Sequence, residues 1–279
     1  MRKIPIVLFL LVLAFFVWTP LWMIISGAFM GANEAGRSFG PVLGGAVGEA
    51  IWPLIPRYPT LRSFAELFLD TPQFFVMFWN SCRQVFPIIA GQILLGAPAA
   101  WAFARYRFKG RNVLFSLYII LMLMPFQVTM VSSFLLLDSL GLMDTVWAII
   151  LPGAASTFPV FIMTRFFQAI PKALIESAAL DGASPFMIFL KVGLPMGAPG
   201  ILSAVVLGFL EHWNALEAPL TFLRDRTLWP LSLYLPAVSA ENLGVSMVAS
   251  VLMLIPALLI FMFGQRYLEQ GISAAGMKD

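Results

Sequence analysis

Six long apolar runs limit what this chain of 279 residues can become. A run of about 20 apolar residues is long enough to cross a bilayer as a helix. In hydrocarbon, a helix is also what keeps each backbone N–H and C=O paired. The runs predict spans at 1–30, Phe74–Ala104, Val113–Leu137, Thr145–Phe167, Pro199–Leu223 and Met247–Tyr267. Composition agrees, with 60% hydrophobic and 11% charged residues, beyond what a soluble domain of this size uses. The expected fold class is an all-α membrane protein with six transmembrane helices. Residues 1–30 are its first helix, 31–73 an extracytoplasmic loop and 74–279 the transmembrane domain. One cysteine, Cys82, rules out an internal disulfide.

Residues 1–30 begin with Arg2-Lys3, but the apolar run is too long for a signal peptide and no small-x-small cleavage site follows. Gly31–Gly48 lacks periodicity and is expected to be loop. Ile51–Pro56 is expected to pack on the membrane face, and Thr60–Asp70 to hold a short amphipathic helix. Asn80, Ser81, Arg83 and Gln84 lie near the outer end of the second span. Arg83 is read as snorkelling to the interface rather than touching a solute. Pro125 should kink the third span, where Gln127 and Thr129 follow it, and Pro256 should break the sixth; Pro152 and Pro159 lie in the fourth.

Charge sets the orientation. Arg2, Lys3, Arg105, Arg107, Lys109, Arg111, Arg165, Lys172, Lys191, Arg266 and Lys278 fall on one side. Arg37, Arg57, Arg62, Arg224 and Arg226 fall on the other. The positive-inside rule puts both termini in the cytoplasm. The basic loop Arg105–Arg111 is explained by anchoring in the lipid bilayer, and no nucleic acid partner is expected.

Between spans four and five lies a cytoplasmic segment, 171–199, too polar and too broken to be a span. Pro171 can open a helix. Lys172–Leu180 continues it, and Asp181-Gly182 stops it, since Gly accepts the left-handed conformation. Ser184 caps a second helix with Pro185 in its first position. Phe186, Phe189, Leu190 and Gly193 share one face, and Leu194-Pro195 is expected to end it.

Glu176-Ser177-Ala178, Asp181-Gly182-Ala183 and Leu194-Pro195 resemble the E-A-A-x-x-D-G-A … L-P loop of ABC-importer permease subunits. Ser177 stands where that pattern has Ala. Ala99–Asn112, Thr227–Leu231 and the tail from Gln265 are similar to segments of the carbohydrate-uptake, maltose-type family, specifically its second permease subunit. The Gly-rich addition departs from the family's pattern. The resemblance implies that 171–199 holds a coupling helix docked in a groove of an ATP-hydrolysing subunit. It makes Glu176, Ser177, Ala178, Asp181, Gly182, Ala183 and Pro195 the coupling residues. Implied partners are an ATP-binding subunit dimer, a second permease subunit as heterodimer, and an extracytoplasmic solute-binding protein with its sugar. The implied location is the prokaryotic inner membrane. No nucleotide-binding Gly-rich loop occurs, so the chain is not expected to be an enzyme, ATP hydrolysis belonging to a partner.

A second candidate site is Glu211, Trp213, Asn214 and Glu217, expected halfway through the fifth span. Ionisable residues there usually face a bundle interior or a watery cavity. Their amide, carboxylate and indole groups suit a sugar; they suit a structural hydrogen-bond knot equally well. His212 is the only histidine, so neither a metal nor another cofactor is expected. A glycerol-phosphate or polyol solute is an alternative. So, in a different class, is an ion-coupled secondary transporter using Glu211, Glu217 and Arg83, though it leaves 171–199 unexplained.

Overall fold

Helices account for nearly all regular structure in the computed structural model, which describes residues 3–43, 49–234 and 242–276. In chain order they are α1 (Lys3–Ala28), α2 (Ala32–Leu43), α3 (Arg62–Ala65), α4 (Pro72–Arg105), α5 (Arg111–Leu123) and α6 (Phe126–Ser139). Then come α7 (Trp147–Ala154), α8 (Thr157–Ala169), α9 (Lys172–Leu180), α10 (Pro185–Ile188), α11 (Leu194–Trp213), α12 (Glu217–Phe222) and α13 (Leu243–Gly276). Five helical stretches are long and apolar enough to cross a membrane, or six if the bent pair α5–α6 counts as one. Arg2, Lys278, residues 44–48 of the Gly-rich stretch and 235–241 of the later loop lie outside the described residues.

The chain falls into two compact units, residues 1–76 with 234–256, and 77–233 with 257–279. In the first, Met30, Ala35, Phe39 and Leu243 form a small buried core. The expected loop at Gly31–Gly48 is instead helical over Ala32–Leu43, because Ala35 and Phe39 give it an apolar face to bury. The Glu34 carboxylate accepts from the backbone N–H of Arg57 at 2.8 Å and of Tyr58 at 3.3 Å. Trp52 donates to Ser26 Oγ at 3.1 Å, whereas Ile51, Leu54 and Ile55 stay exposed.

In the second unit, prolines decide where spans break. The third span is two helices bent by 104°, sharper than a kink. Pro125 drives Met124 into extended backbone, and both residues adopt it. The fourth span breaks at Ala155-Ser156. This leaves Pro159 in the first turn of α8, where a missing N–H costs nothing. Pro256 does not interrupt α13. Leu194-Pro195 ends nothing either: Phe189–Gly193 is a π-helical turn, and helix runs from Pro185 to Trp213.

Close packing depends on glycine. A Cβ on Gly197 would lie 2.2 Å from Phe167 Cε1, and one on Gly200 2.5 Å from Phe166 Cγ. Small residues of this kind let helix backbones approach within a membrane. Phe167 is fully buried with Trp101, Phe103 and Met163, so it has nowhere to move. Gly197→Leu should therefore destabilise the purified protein by about 1–3 kcal/mol through overpacking, seen as a lower melting temperature in detergent. Gly36→Ala, with no atom within 4 Å of its new Cβ, should not lower it.

Candidate functional site

The polar cluster lies where α11 stops, not halfway along a span as expected. A helix continuing through Leu223 would put Pro219 in its interior, leaving the Ala215 carbonyl unpaired. Instead α11 ends at Trp213, and Pro219 sits in the first turn of α12. Ser232 Oγ donates to that same Ala215 carbonyl at 2.6 Å. Asn214 caps α11, its Nδ2 donating to Leu210 O at 2.8 Å.

The break opens a cavity of about 730 Å³. Glu211, Asn214 and Glu217 line it together with Gln84, Ser133 and Ser156. Glu217 Oε1 accepts from Gln127 Nε2 at 2.5 Å, joining α12 to the start of α6. Trp213 is placed differently: it is buried, stacked on Phe209 at 5.3 Å between ring centres and edge-on to Phe78 at 5.9 Å. It supports the wall from behind.

One contributor had no reading in the sequence. Gln92 Nε2, in α4, donates to Gly153 O at 2.9 Å and lies 3.0 Å from His212 Nε2. The amide thus spends both N–H groups, and the imidazole accepts. A lone amide in mid-span needs a partner, a signal that gives no clue to which partner. No group of three or more His, Cys, Asp or Glu residues suited to a metal occurs among the described residues.

Glu176, Ser177, Ala178, Asp181, Gly182, Ala183 and Pro195 sit around a helical hairpin. Gly182 has φ +82°. Its N–H meets Ala179 O at 3.1 Å, and Ala183 N–H meets Ala178 O at 3.0 Å. This is a Schellman closure of α9. Ser184 Oγ then accepts from Met187 N–H at 3.3 Å, capping α10. Ile188, Phe189 and Gly193 are buried against Trp101 and Phe167. Phe186, expected on the same face, is exposed, as are Leu174, Leu180, Met187 and Leu190. Glu176 is exposed and faces a second cavity of about 560 Å³ that Arg105, Arg107, Arg111 and Lys172 also line. Arg105 donates to Phe167 O and Ile170 O, closing the C-terminal end of α8.

Loop geometry beside the first cavity is set by Asp144, one of the described residues with positive φ, at 60°. Its Oδ1 accepts from the N–H groups of Arg224 and Asp225, each at 2.8 Å. Asp144→Ala hands both exposed donors to water and should cost about 0.5–1.5 kcal/mol, read by thermal unfolding. Asp144→Asn keeps an acceptor and should cost less.

A family model described as "Binding-protein-dependent transport system inner membrane component" matches residues 92–274. Over 226 residues the chain is 30% identical to the arabinooligosaccharides transport system permease protein AraQ of Halalkalibacterium halodurans, spanning 80% of this chain and 81% of that one. It is 30% identical over 276 residues to protein LplC of Bacillus subtilis, spanning 93% and 88%. Among solved structures, one titled as a bacterial ABC transporter involved in the import of the acidic polysaccharide alginate matches with a TM-score of 0.78 at 19% identity, over 95% of this chain and 96% of that chain.

Proposed function

The chain belongs to the family of binding-protein-dependent transport system inner membrane components and is a permease subunit of an ABC importer, and from that premise we propose that it forms half of the transmembrane pathway for a sugar or oligosaccharide. In this reading the hairpin at 171–199 lies in the cytoplasm with both termini. It docks on an ATP-binding subunit dimer through exposed Glu176, Asp181 and the apolar Leu180, Phe186 and Leu190. A companion permease supplies the other half of the pathway, and an extracytoplasmic solute-binding protein delivers the solute. Ser177, Ala178 and Ala183 keep the hairpin compact, Gly182 turns it, and Pro195 lies where it passes into the span.

One observation carries this reading. The 29 residues from Pro185 to Trp213 run as one helical stretch, roughly 43 Å long at 1.5 Å per residue. Its first turns belong to the hairpin, and its last turn carries Glu211 and reaches the cavity wall. A push on the hairpin therefore moves the wall without a soft joint between them. Glu211, Asn214 and Glu217 act as hydrogen-bonding groups along the pathway, and Trp213 holds the wall in place. An ion-coupled secondary transporter gives the hairpin nothing to do. A polyol solute would use the same machinery.

Gly182 provides the test. A Cβ there meets no atom within 4 Å, so substitution acts through the left-handed backbone alone. In proteoliposomes holding the full importer, Gly182→Val should cut ATP-driven uptake of arabinotriose or galactotriose at least about tenfold, equivalent to about 1.4 kcal/mol. Insertion into the membrane should be unchanged. Gly182→Asn, which tolerates positive φ, should recover most of the loss. Full ATP-driven uptake by the Val variant would show that the hairpin does not couple.

A further inference from the structure

We infer, resting on the pathway reading above, that this cavity passes uncharged saccharides and rejects anionic ones, both uronates and sugar phosphates. The ionisable groups among its lining residues are Glu211, His212 and Glu217; neither Lys nor Arg is among them. Glu211 makes no side-chain hydrogen bond or ion pair among the described residues, and Glu217 has one neutral partner, Gln127. An ion pair among the described residues, Arg62–Glu66, belongs to the other unit. His212 brings no compensating charge, because its Nε2 faces an amide N–H of Gln92, which a second N–H would oppose. Four cations, Arg105, Arg107, Arg111 and Lys172, instead line the separate cavity beside the hairpin.

The chemistry of the wall follows from that distribution. Carboxylates accept hydrogen bonds and donate none when ionised. Saccharide hydroxyls can donate to Glu211 and Glu217, whereas the ionised carboxylate or phosphate of an anionic solute has no proton to donate. Apolar walls sharpen the repulsion, since a cleft of one sign between low-dielectric surfaces focuses its field. Ile88, Ile149 and Phe222 form such a wall here. The same field raises the local concentration of cations.

The field can be measured without knowing the solute. In the full importer with cysteine-free companions, Cys82→Ser removes the chain's own thiol and Ser133→Cys places a reporter on the cavity wall. Its reaction rates with a cationic and an anionic methanethiosulfonate are compared with those of a free thiol. The cation-over-anion ratio should exceed the free thiol's by about tenfold or more. With Glu211→Gln and Glu217→Gln added, it should fall to near the free-thiol value. A ratio no higher than the free thiol's, or one unmoved by the double substitution, overturns the inference. ATP-driven uptake of trigalacturonate as fast as galactotriose by the unsubstituted importer overturns it too. Failure of the pathway reading looks different: the thiol ratio persists, but no saccharide is taken up with ATP.

Discussion

Backbone groups freed where helices stop have to be paired by something, and in the second unit that partner is again and again a side chain of α4. Asn80 donates to the carbonyls of Thr227 and Trp229, Gln84 to that of Leu228, and Ser81 Oγ accepts from Leu231 N–H. Gln92 meets the Gly153 carbonyl near the end of α7, and Arg105 those of Phe167 and Ile170 at the end of α8. Each such bond contributes only about 0.6 kcal/mol on average in a membrane. Leaving the group unpaired costs several times more. The column of polar residues thus pairs helix ends and the loop that packs against α4.

The breaks in the spans are where the polar cavity forms. Where α11 stops short, Asn214 and the 215–216 link bring Glu211 and Glu217 to a common wall. Where α5 meets α6, the 104° bend sets Gln127 within reach of Glu217. An unbroken bundle of six helices would have buried these groups against hydrocarbon or other helices. Breaking the spans exposes carboxylates to a cavity, the setting in which charge within a membrane is tolerable. By contrast the chain stays helical between the hairpin and the cavity wall. Phe189–Gly193 is a π-helical turn rather than a loop, so the helix continues from Pro185 to Trp213.

Much of this was legible in the residues. The membrane class, the number of apolar runs, the Gly182 turn and the Ser184 cap all rest on local chemistry. A left-handed glycine or a serine before proline acts within a few residues of itself. The same local reasoning was incomplete at prolines: the bend expected at Pro125 is there, but the break expected at Pro256 is not. Pro125, Pro159, Pro219 and Pro256 look alike in sequence, yet the first accompanies a sharp bend, the next two open new helices and the last lies inside a continuous one. The outcome depends on whether a distant group, such as Ser232 for Ala215, takes up the stranded carbonyl.

Sequence alone determined that this chain crosses a membrane several times, since no other setting suits so many apolar side chains. It also determined the turn between α9 and α10, whose geometry is set by Gly182 and its immediate neighbours. Tertiary structure alone decided that Glu211, Asn214 and Glu217 share a cavity while Trp213 turns into the core. It likewise decided that Gln92 answers Gly153 and His212, 61 and 120 residues away. Hydrogen bonds between spans are chosen by three-dimensional proximity, and proximity follows from which helices pack together, a property no single stretch of sequence contains.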